Sequence, residues 1–529
     1  MSVPARDEAT TRAPVRTRAA AEVGTDSRLA AWNRLQCTAG NSAVAGLLGV
    51  QRDKKKALPN KAPSTDPPEK QLADIQGHAM DALLPELAAL ESEVRGDEAR
   101  GIAVGGTRLV MAMQTVEAKT AKTAWKTFLD GRKAGFLAWP PDQIGSMLRF
   151  AGAASETAAM QELAVSELSE LIAKRPEELP LTPEGRTDLI RKTVGQMAAK
   201  EMGYGSTRPF LDDVKQRVLV SIYMQYTQAG TEKGMAKGFS YPNRKGDGTE
   251  GVAAKVNKAA EGLWGPNKGG DAYYFELSNR GKQNAYQAIT ALFTPQTDPN
   301  ARTLIHCDYL ISLIEFRAWA ETIGVEIFNS NVRMGNIVPV LKYDGFADLA
   351  KSTNISDGKN VVTTQPLSKF TLTSESELVI GDHVVFYNDP TYDPLTKGDP
   401  DVWKLENAVV VSSGKNGLLF QGHGYPTPLP KGALMDALCA KYNLHVARAR
   451  KLIADEKQAK GTAKAAARSK RETLYPRVLN VGGKWVVTGD STVTGTIASR
   501  PLGELTPATA PGLRHPRDNA LIARRPVRE

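Results

Sequence analysis

The sequence predicts an α+β protein, in which an N-terminal helical bundle precedes a domain built from one buried helix packed on an antiparallel sheet. Three observations predict it. Apolar residues recur at helical spacing from Leu72 to about Gln228, the period changes to alternation after Asn331, and a cysteine stands between the two regimes at the head of an apolar helix. That cysteine is Cys307. Between Arg302 and Ala320 a polar lead-in gives way to Leu310, Ile314 and Ala318 at four-residue spacing, with Ile311 beside them. The pattern predicts a buried helix carrying Cys307 in its first turn. Unpaired amides and the positive end of the helix dipole favour a thiolate there, and the thiolate is the nucleophilic form.

Bulk properties narrow the function classes. A chain of 529 residues has room for about three or four domains and a sizeable core. Its longest apolar runs fall short of a membrane span, and its arginine-rich, polar opening has no apolar stretch of secretory type. Synthesis in the cytoplasm without a signal peptide is therefore expected. Cys37, Cys307 and Cys439 are too few and too scattered for a disulfide framework or a cysteine-rich metal site. No metal or organic cofactor is expected, and a reducing compartment suits a working thiol. The net charge of +10 is compatible with acidic surfaces, but no aromatic-interleaved basic motif singles out nucleic acid as a partner.

Taken in order, residues 1–70 read as a disordered N-terminus that holds one short amphipathic island at 28–52. Leu29, Trp32 and Leu35, then Val44, Leu47 and Leu48, form two apolar turns too small to hold together alone, which suits a peptide that folds on a partner. The run Leu35-Gln36, Ala39-Gly40-Asn41, Ala43-Val44, Leu47-Leu48, Gln51-Arg52 resembles the N-terminal motif of proteins associated with bacterial extracellular contractile injection systems. The resemblance implies a tube or baseplate of such a machine as partner, with delivery outside the producing cell or into a target cell as an effector or toxin. A linker rich in Pro, Ser and Lys follows from Lys54 to about Lys70.

Residues 71–235 read as a helical domain. Its stripes include Leu72, Ile75, Ala79, Leu83, Leu87 and Leu90, then Leu163, Leu168, Leu171 and Ile172, then Leu211, Val214, Val218, Ile222 and Tyr226. His78 is a lone histidine on a helix and reads as a surface residue. Gly246, Gly248 and Gly251 lack the lysine and hydroxyl residue of a phosphate loop, so nucleotide binding there is rejected.

Residues 236–440 carry the candidate chemistry. The segment beginning Leu378-Val-Ile-Gly-Asp-His reads as a strand, and two more follow, from Trp403 to Val411 and from Gly417 to Gly424, joined by a turn at Ser413 to Asn416. Symmetric pairing about Lys415 and Asn416 sets His423 opposite Ala408 and diagonal to Glu406. Diagonal neighbours on one face lie roughly 7 to 8 Å apart, within reach of long side chains. A one-residue slip would put them on opposite faces. Singly, each residue has a plainer reading: a buried small hydrophobe, a solvated strand-end glutamate, a turn histidine. A shared face with a thiol is what joins them. His383, in a neighbouring strand, is the rival to His423, and His306 reads as a packing residue.

A cysteine at a helix start, packed on a sheet carrying a carboxylate and a histidine, is a papain-like arrangement for thiol chemistry. Cys307, Gly381-Asp382 with Phe386-Tyr387-Asn388, Leu405-Glu406-Asn407 before Val409-Val410-Val411, and Gly422-His423-Gly424 together resemble the bacterial protein-glutamine gamma-glutamyltransferases of the spore-coat type. The resemblance implies a transglutaminase: Cys307 as the nucleophile that forms the thioester, Glu406 and His423 as base and polarising partners, and protein glutamine and lysine side chains as substrates. Alternatives are a glutamine deamidase with the same site, a thiol peptidase or amidase, and a non-catalytic structural cargo of the injection system. Residues 441–500 read as a basic helix from His445 to Arg471 and a terminal hairpin, and residues 501–529 as a disordered tail.

Overall fold

A computed structural model describes residues 156–528 with interruptions, the longest at 229–238, 241–254 and 342–348. The island at 28–52, the linker, Cys37, His78 and the first helical stripe lie outside the described residues. Those described belong to one compact unit, residues 126–529.

The longer helices are α1 (Glu156–Glu167), α2 (Pro183–Ala198), α3 (Thr207–Gln228), α4 (Ala285–Leu292), α5 (Cys307–Ile323), α6 (Val325–Met334), α7 (Lys431–Gln458) and α8 (Gly461–Leu474). The first strands are β1 (Phe239–Ser240), β2 (Trp264–Gly269), β3 (Ala272–Leu277), β4 (Thr303–Leu304), β5 (Val340–Leu341), β6 (Thr353–Ser356) and β7 (Val361–Leu372). Then come β8 (His383–Tyr387), β9 (Leu405–Gly414), β10 (Gly417–Gly422), β11 (Leu429–Pro430), β12 (Val478–Val481), β13 (Lys484–Ser491), β14 (Thr496–Pro501) and β15 (Leu521–Arg528). The protein is thus a mixture of helix and sheet. Its principal sheet has the order β11-β10-β9-β8-β15-β7-β6.

Local sequence explains the elements that frame the sheet. Thr182 caps α2 by accepting the Gly185 N–H, Pro183 opens the helix, and Leu189, Ile190, Val194 and Met197 bury its inner stripe. Along α3 the expected Leu211, Val214, Val218 and Ile222 are buried, but so are Asp213, Gln216, Arg217 and Ser221. That polar side faces the sheet, where Ser221 Oγ donates to the Val411 carbonyl at 2.5 Å. Since α3 packs on α5 and β9, the expected boundary at residue 235 falls inside one packed unit. The helical residues described there share the sheet's core.

Gly381-Asp382 is explained by the same contact. Gly381 has φ +87°, and a Cβ on it would stand 2.6 Å from the Arg217 side chain, so only glycine lets β8 start so close to α3. Asp382 accepts from Arg217 at 2.7 Å and from Arg525 at 2.6 Å, and Asp213 takes the other side of Arg217 at 2.8 Å. Four buried charges are thereby paired two against two.

The tail corrects the expectation of disorder after residue 501. β15 inserts into the sheet between β8 and β7, setting Ala523 opposite Val384 and Arg524 opposite His383. Composition misleads here, because the arginines are held by specific partners: Arg525 is buried only because Asp382 neutralises it. The expected boundary at 440 also fails, since α7 runs through it from Lys431 to Gln458. The basic segment is two helices, broken at Ala459 and Lys460. The terminal hairpin is a three-stranded sheet, β12-β13-β14. Cys439 lies in the core of this part with Tyr392, Tyr442, Val446, Tyr475 and Val487. Among the described residues no helix is long and apolar enough to cross a membrane.

Candidate active site

The thiol is delivered by α5, which starts at Cys307 after an extended His306 (φ −75°, ψ 166°). His306 packs edge-on against Tyr309 with ring centroids 5.8 Å apart, as its expected packing role requires. Residues on every side of α5 are buried, with Leu310, Ile311, Leu313 and Ile314 at 0% exposure. The helix is therefore held firmly, while Cys307 at its head keeps partial exposure.

Strand β9 supplies what meets the sulfur. Asn407 Nδ2 donates to Cys307 Sγ at 3.2 Å, and Asn407 Oδ1 lies 3.0 Å from His383 Nε2. His383 Nδ1 in turn lies 3.4 Å from Arg524 Nη1. A guanidinium can only donate, so His383 Nδ1 accepts and its proton sits on Nε2. Nε2–H then needs an acceptor, which fixes Asn407 Oδ1 toward the histidine and the amide N–H toward the sulfur. Burial, then the charge of Arg524, holds the His383 pKa well below its usual value, so the imidazole is neutral. The chain from Arg524 to Cys307 is a polarised line of donors ending on sulfur.

His423 also arrives at the head of α5, and Glu406 is an electrostatic neighbour of the thiol there, by a route the symmetric hairpin did not predict. Gly417, Leu418 and Leu419 pair with Gly414, Ser413 and Ser412 in the expected register, but a bulge at Leu419 and Phe420 shifts the rest. Gly422, not His423, then lies opposite Ala408. Glu406 and the His423 imidazole are consequently not diagonal neighbours on one face. Instead the Glu406 carboxyl folds over Gly422, where any Cβ would overlap its Oε1, and it takes the His423 backbone N–H. The His423 ring turns the other way, its Nε2 3.2 Å from the Ile305 carbonyl, two residues before the cysteine. Both residues are almost fully buried, Glu406 at 3% exposure and His423 at 1%.

The electrostatics correct a second expectation. The thiol is not acidified by its helix: its pKa is pushed up to about 12, first by burial and then by the charges of Glu406 and Asp308, with Asn407 opposing. Desolvation outweighs the helix dipole here. Burial likewise raises the Glu406 carboxyl well above the usual range, against the pull of the His423 amide. Glu406 Oε1 is buried and has no hydrogen-bond partner. The site therefore combines a thiol raised by burial with a carboxyl whose proton is also held more tightly than usual.

No family model, curated protein or solved structure matches this chain. Its chemistry must be read from this geometry. Among the described residues no group of three or more His, Cys, Asp and Glu side chains is placed to hold a metal ion.

Sequence reasoning missed Asn407, although it stood within the quoted Leu405-Glu406-Asn407 run. Its signal was alternation: in the β8–β9 ladder Val385 opposes Asn407 and His383 opposes Val409, so Asn407 and His383 are diagonal on one face. His383, expected as a rival base, takes part by orienting Asn407 instead. Arg524 gave no signal while the tail was read as disordered.

Proposed function

We propose that this chain transfers acyl groups from protein glutamine side chains to primary amines through a thioester on Cys307. The observation that carries the reading is the thiol of Cys307 held by the Asn407 N–H, with the buried Glu406 carboxyl, whose Oε1 has no partner, as its electrostatic neighbour. A carboxyl with a raised pKa is a stronger base once ionised, and its mismatch with a thiol shrinks. The helix-on-sheet placement supports a papain-like catalytic domain, and the motif positions that resemble the spore-coat-type enzymes support glutamine as the acyl donor.

In this reading the ionised Glu406 takes the proton from Cys307 Sγ, and the Asn407 N–H steadies the thiolate that forms. Sulfur attacks the γ-carboxamide carbon of glutamine. As the tetrahedral adduct collapses, the C–N bond breaks and Glu406 returns the proton to the departing ammonia. A neutral lysine amine then attacks the thioester, its proton passes to Glu406, the C–S bond breaks and the thiolate recovers the proton. His423 serves as a positioning residue, its backbone N–H on Glu406 and its ring on Ile305. The segment at 28–52 supports loading onto a contractile injection machine, and delivery of this activity as an effector.

Intact mass after incubation with a glutamine-containing protein and a labelled primary amine tests the reading. Amine incorporation with loss of ammonia, abolished in Cys307→Ala, is expected. A gain of the size of amide-to-acid conversion, without the amine, would make the enzyme a deamidase. Peptide cleavage would make it a peptidase, and an unchanged substrate would leave a structural cargo protein.

A further inference from the structure

Toward the far end of α5 from the thiol, a cavity of about 450 Å3 is lined by residues of α3, α4 and α5 together with Lys174, which ends a short helix at Ser169–Ala173. Arg317 and Glu321 are the α5 residues in its wall. They lie roughly 15–20 Å along the helix from Cys307 at 1.5 Å per residue. Much of the rest is aromatic: Tyr223 and Tyr226 from α3, Tyr286 from α4 and Phe293 directly after α4. The Arg317 guanidinium carbon stands 3.9 Å from the Tyr223 ring centroid and 4.6 Å from that of Phe293, so the cation rests against two ring faces. Glu321 is the only carboxylate among the lining residues. Its Oε2 accepts from Lys174 Nζ at 2.9 Å. Its Oε1 accepts from the Tyr286 hydroxyl at 2.8 Å and from the Tyr223 hydroxyl, and lies 3.5 Å from Arg317 Nε. Against the cost of burial, Lys174 and then Arg317 hold the Glu321 carboxyl below its usual range. Two cations therefore share one carboxylate, unlike the Arg217 and Arg525 cluster, where charges match two against two. The cavity has the size and make-up of a small-molecule pocket, aromatic walls with a few fixed polar groups, and its excess charge is positive.

We propose that this cavity binds a small organic monoanion, a carboxylate carried on a planar apolar body. The ligand's carboxylate accepts N–H bonds from Lys174 and Arg317 and supplies the negative charge that Glu321 alone does not. Its flat body lies among the rings of Tyr226, Tyr286 and Phe293. The same two cations repel an organic cation. The site is separate from Cys307, and the proposal does not rest on the acyl-transfer reading.

Titration calorimetry of the full chain with 2-naphthoate and with its methyl ester, which keeps the rings and lacks the charge, tests the proposal. The carboxylate is expected to bind one per chain and about tenfold or more tighter than the ester. Lys174→Met, at a half-buried side chain, is expected to weaken 2-naphthoate by about tenfold. Glu321→Gln removes the competing negative charge and is expected to tighten it by about fivefold. Cys307→Ala, which ends transfer, is expected to leave binding unchanged. No binding to the parent chain, equal binding of the ester, an unchanged affinity in Lys174→Met, a weaker one in Glu321→Gln, or loss of binding in Cys307→Ala would each overturn the proposal. Should Glu321→Gln fail to fold, as circular dichroism shows, the ester comparison and Lys174→Met still decide. Absence of transfer activity would sink the acyl-transfer reading and leave this site standing.

Discussion

Two buried polar clusters flank strand β8, and they follow opposite rules. At its start, Arg217 and Arg525 meet Asp213 and Asp382 within 2.6–2.8 Å, so charge is matched by charge. Beside β9, burial disfavours the charged forms of Cys307, Glu406 and His383, and Glu406 Oε1 finds no partner. The first cluster is closed by matched charges, although Arg217 Nη2 and Arg525 Nε are without partners, and it fastens α3 and β15 to the sheet. The second is left open: no cation pairs with the Glu406 carboxyl among the described residues, which costs folding free energy. Buried charge that is paired fastens the fold here, while buried ionisable groups with perturbed pKa gather at the candidate site.

The largest effect should come from opening the closed cluster. Asp382→Ala leaves Arg525 and one side of Arg217 buried without their carboxylate, and a loss of about 3–5 kcal/mol is expected in urea unfolding. A loss below about 1 kcal/mol would show that the pairing contributes nothing particular. Next comes Glu315, fully buried on α5 with one oxygen on Gln216 and its carboxyl raised from 4.5 to about 8. Because the folded pKa is the higher one, its contribution to stability is complete below pH 4.5 and is lost as pH rises to about 8. At pH 7 that loss is about 3 kcal/mol. Glu315→Gln should therefore be more stable than the parent at pH 7, and melting curves at pH 5 and pH 7 should differ less in the variant.

Gly422→Ala probes the open cluster. Its Cβ overlaps Glu406 Oε1, so the carboxyl must move. Amine transfer is expected to fall by about 100-fold with little change in melting temperature. The smallest effect belongs to Asn407→Leu, which removes the N–H from sulfur and raises the thiol further. Alkylation of Cys307 by iodoacetamide near neutral pH is expected to slow by about tenfold, one unit of thiol pKa. An unchanged rate would remove Asn407 from the site.

Much of this was legible in the chain. Cys307 at a helix head, the alternating strands and the turn at Ser413 to Asn416 follow from periodicity and turn chemistry, which are local. The bulge at Leu419 and Phe420 was not, because an unpaired residue leaves no mark on alternation. It moved the contact between Glu406 and His423 from side chain to main chain. Nor was the insertion of β15 legible, since an arginine-rich tail reads as soluble until Asp382 is seen to receive Arg525. The raised thiol pKa depends on burial summed over distant segments, while the helix dipole that misled the reading is local.

The pH dependence of Cys307 alkylation in the parent chain and in Glu406→Gln tests the pairing of thiol and carboxylate most directly. In the parent the rate should climb until Glu406 has lost its proton and then level, because from there each thiolate is made only by handing a proton to Glu406. In Glu406→Gln it should keep rising about tenfold per pH unit through the same range. Profiles of the same shape in both chains would mean that Glu406 does not take the Cys307 proton, and would contradict the account.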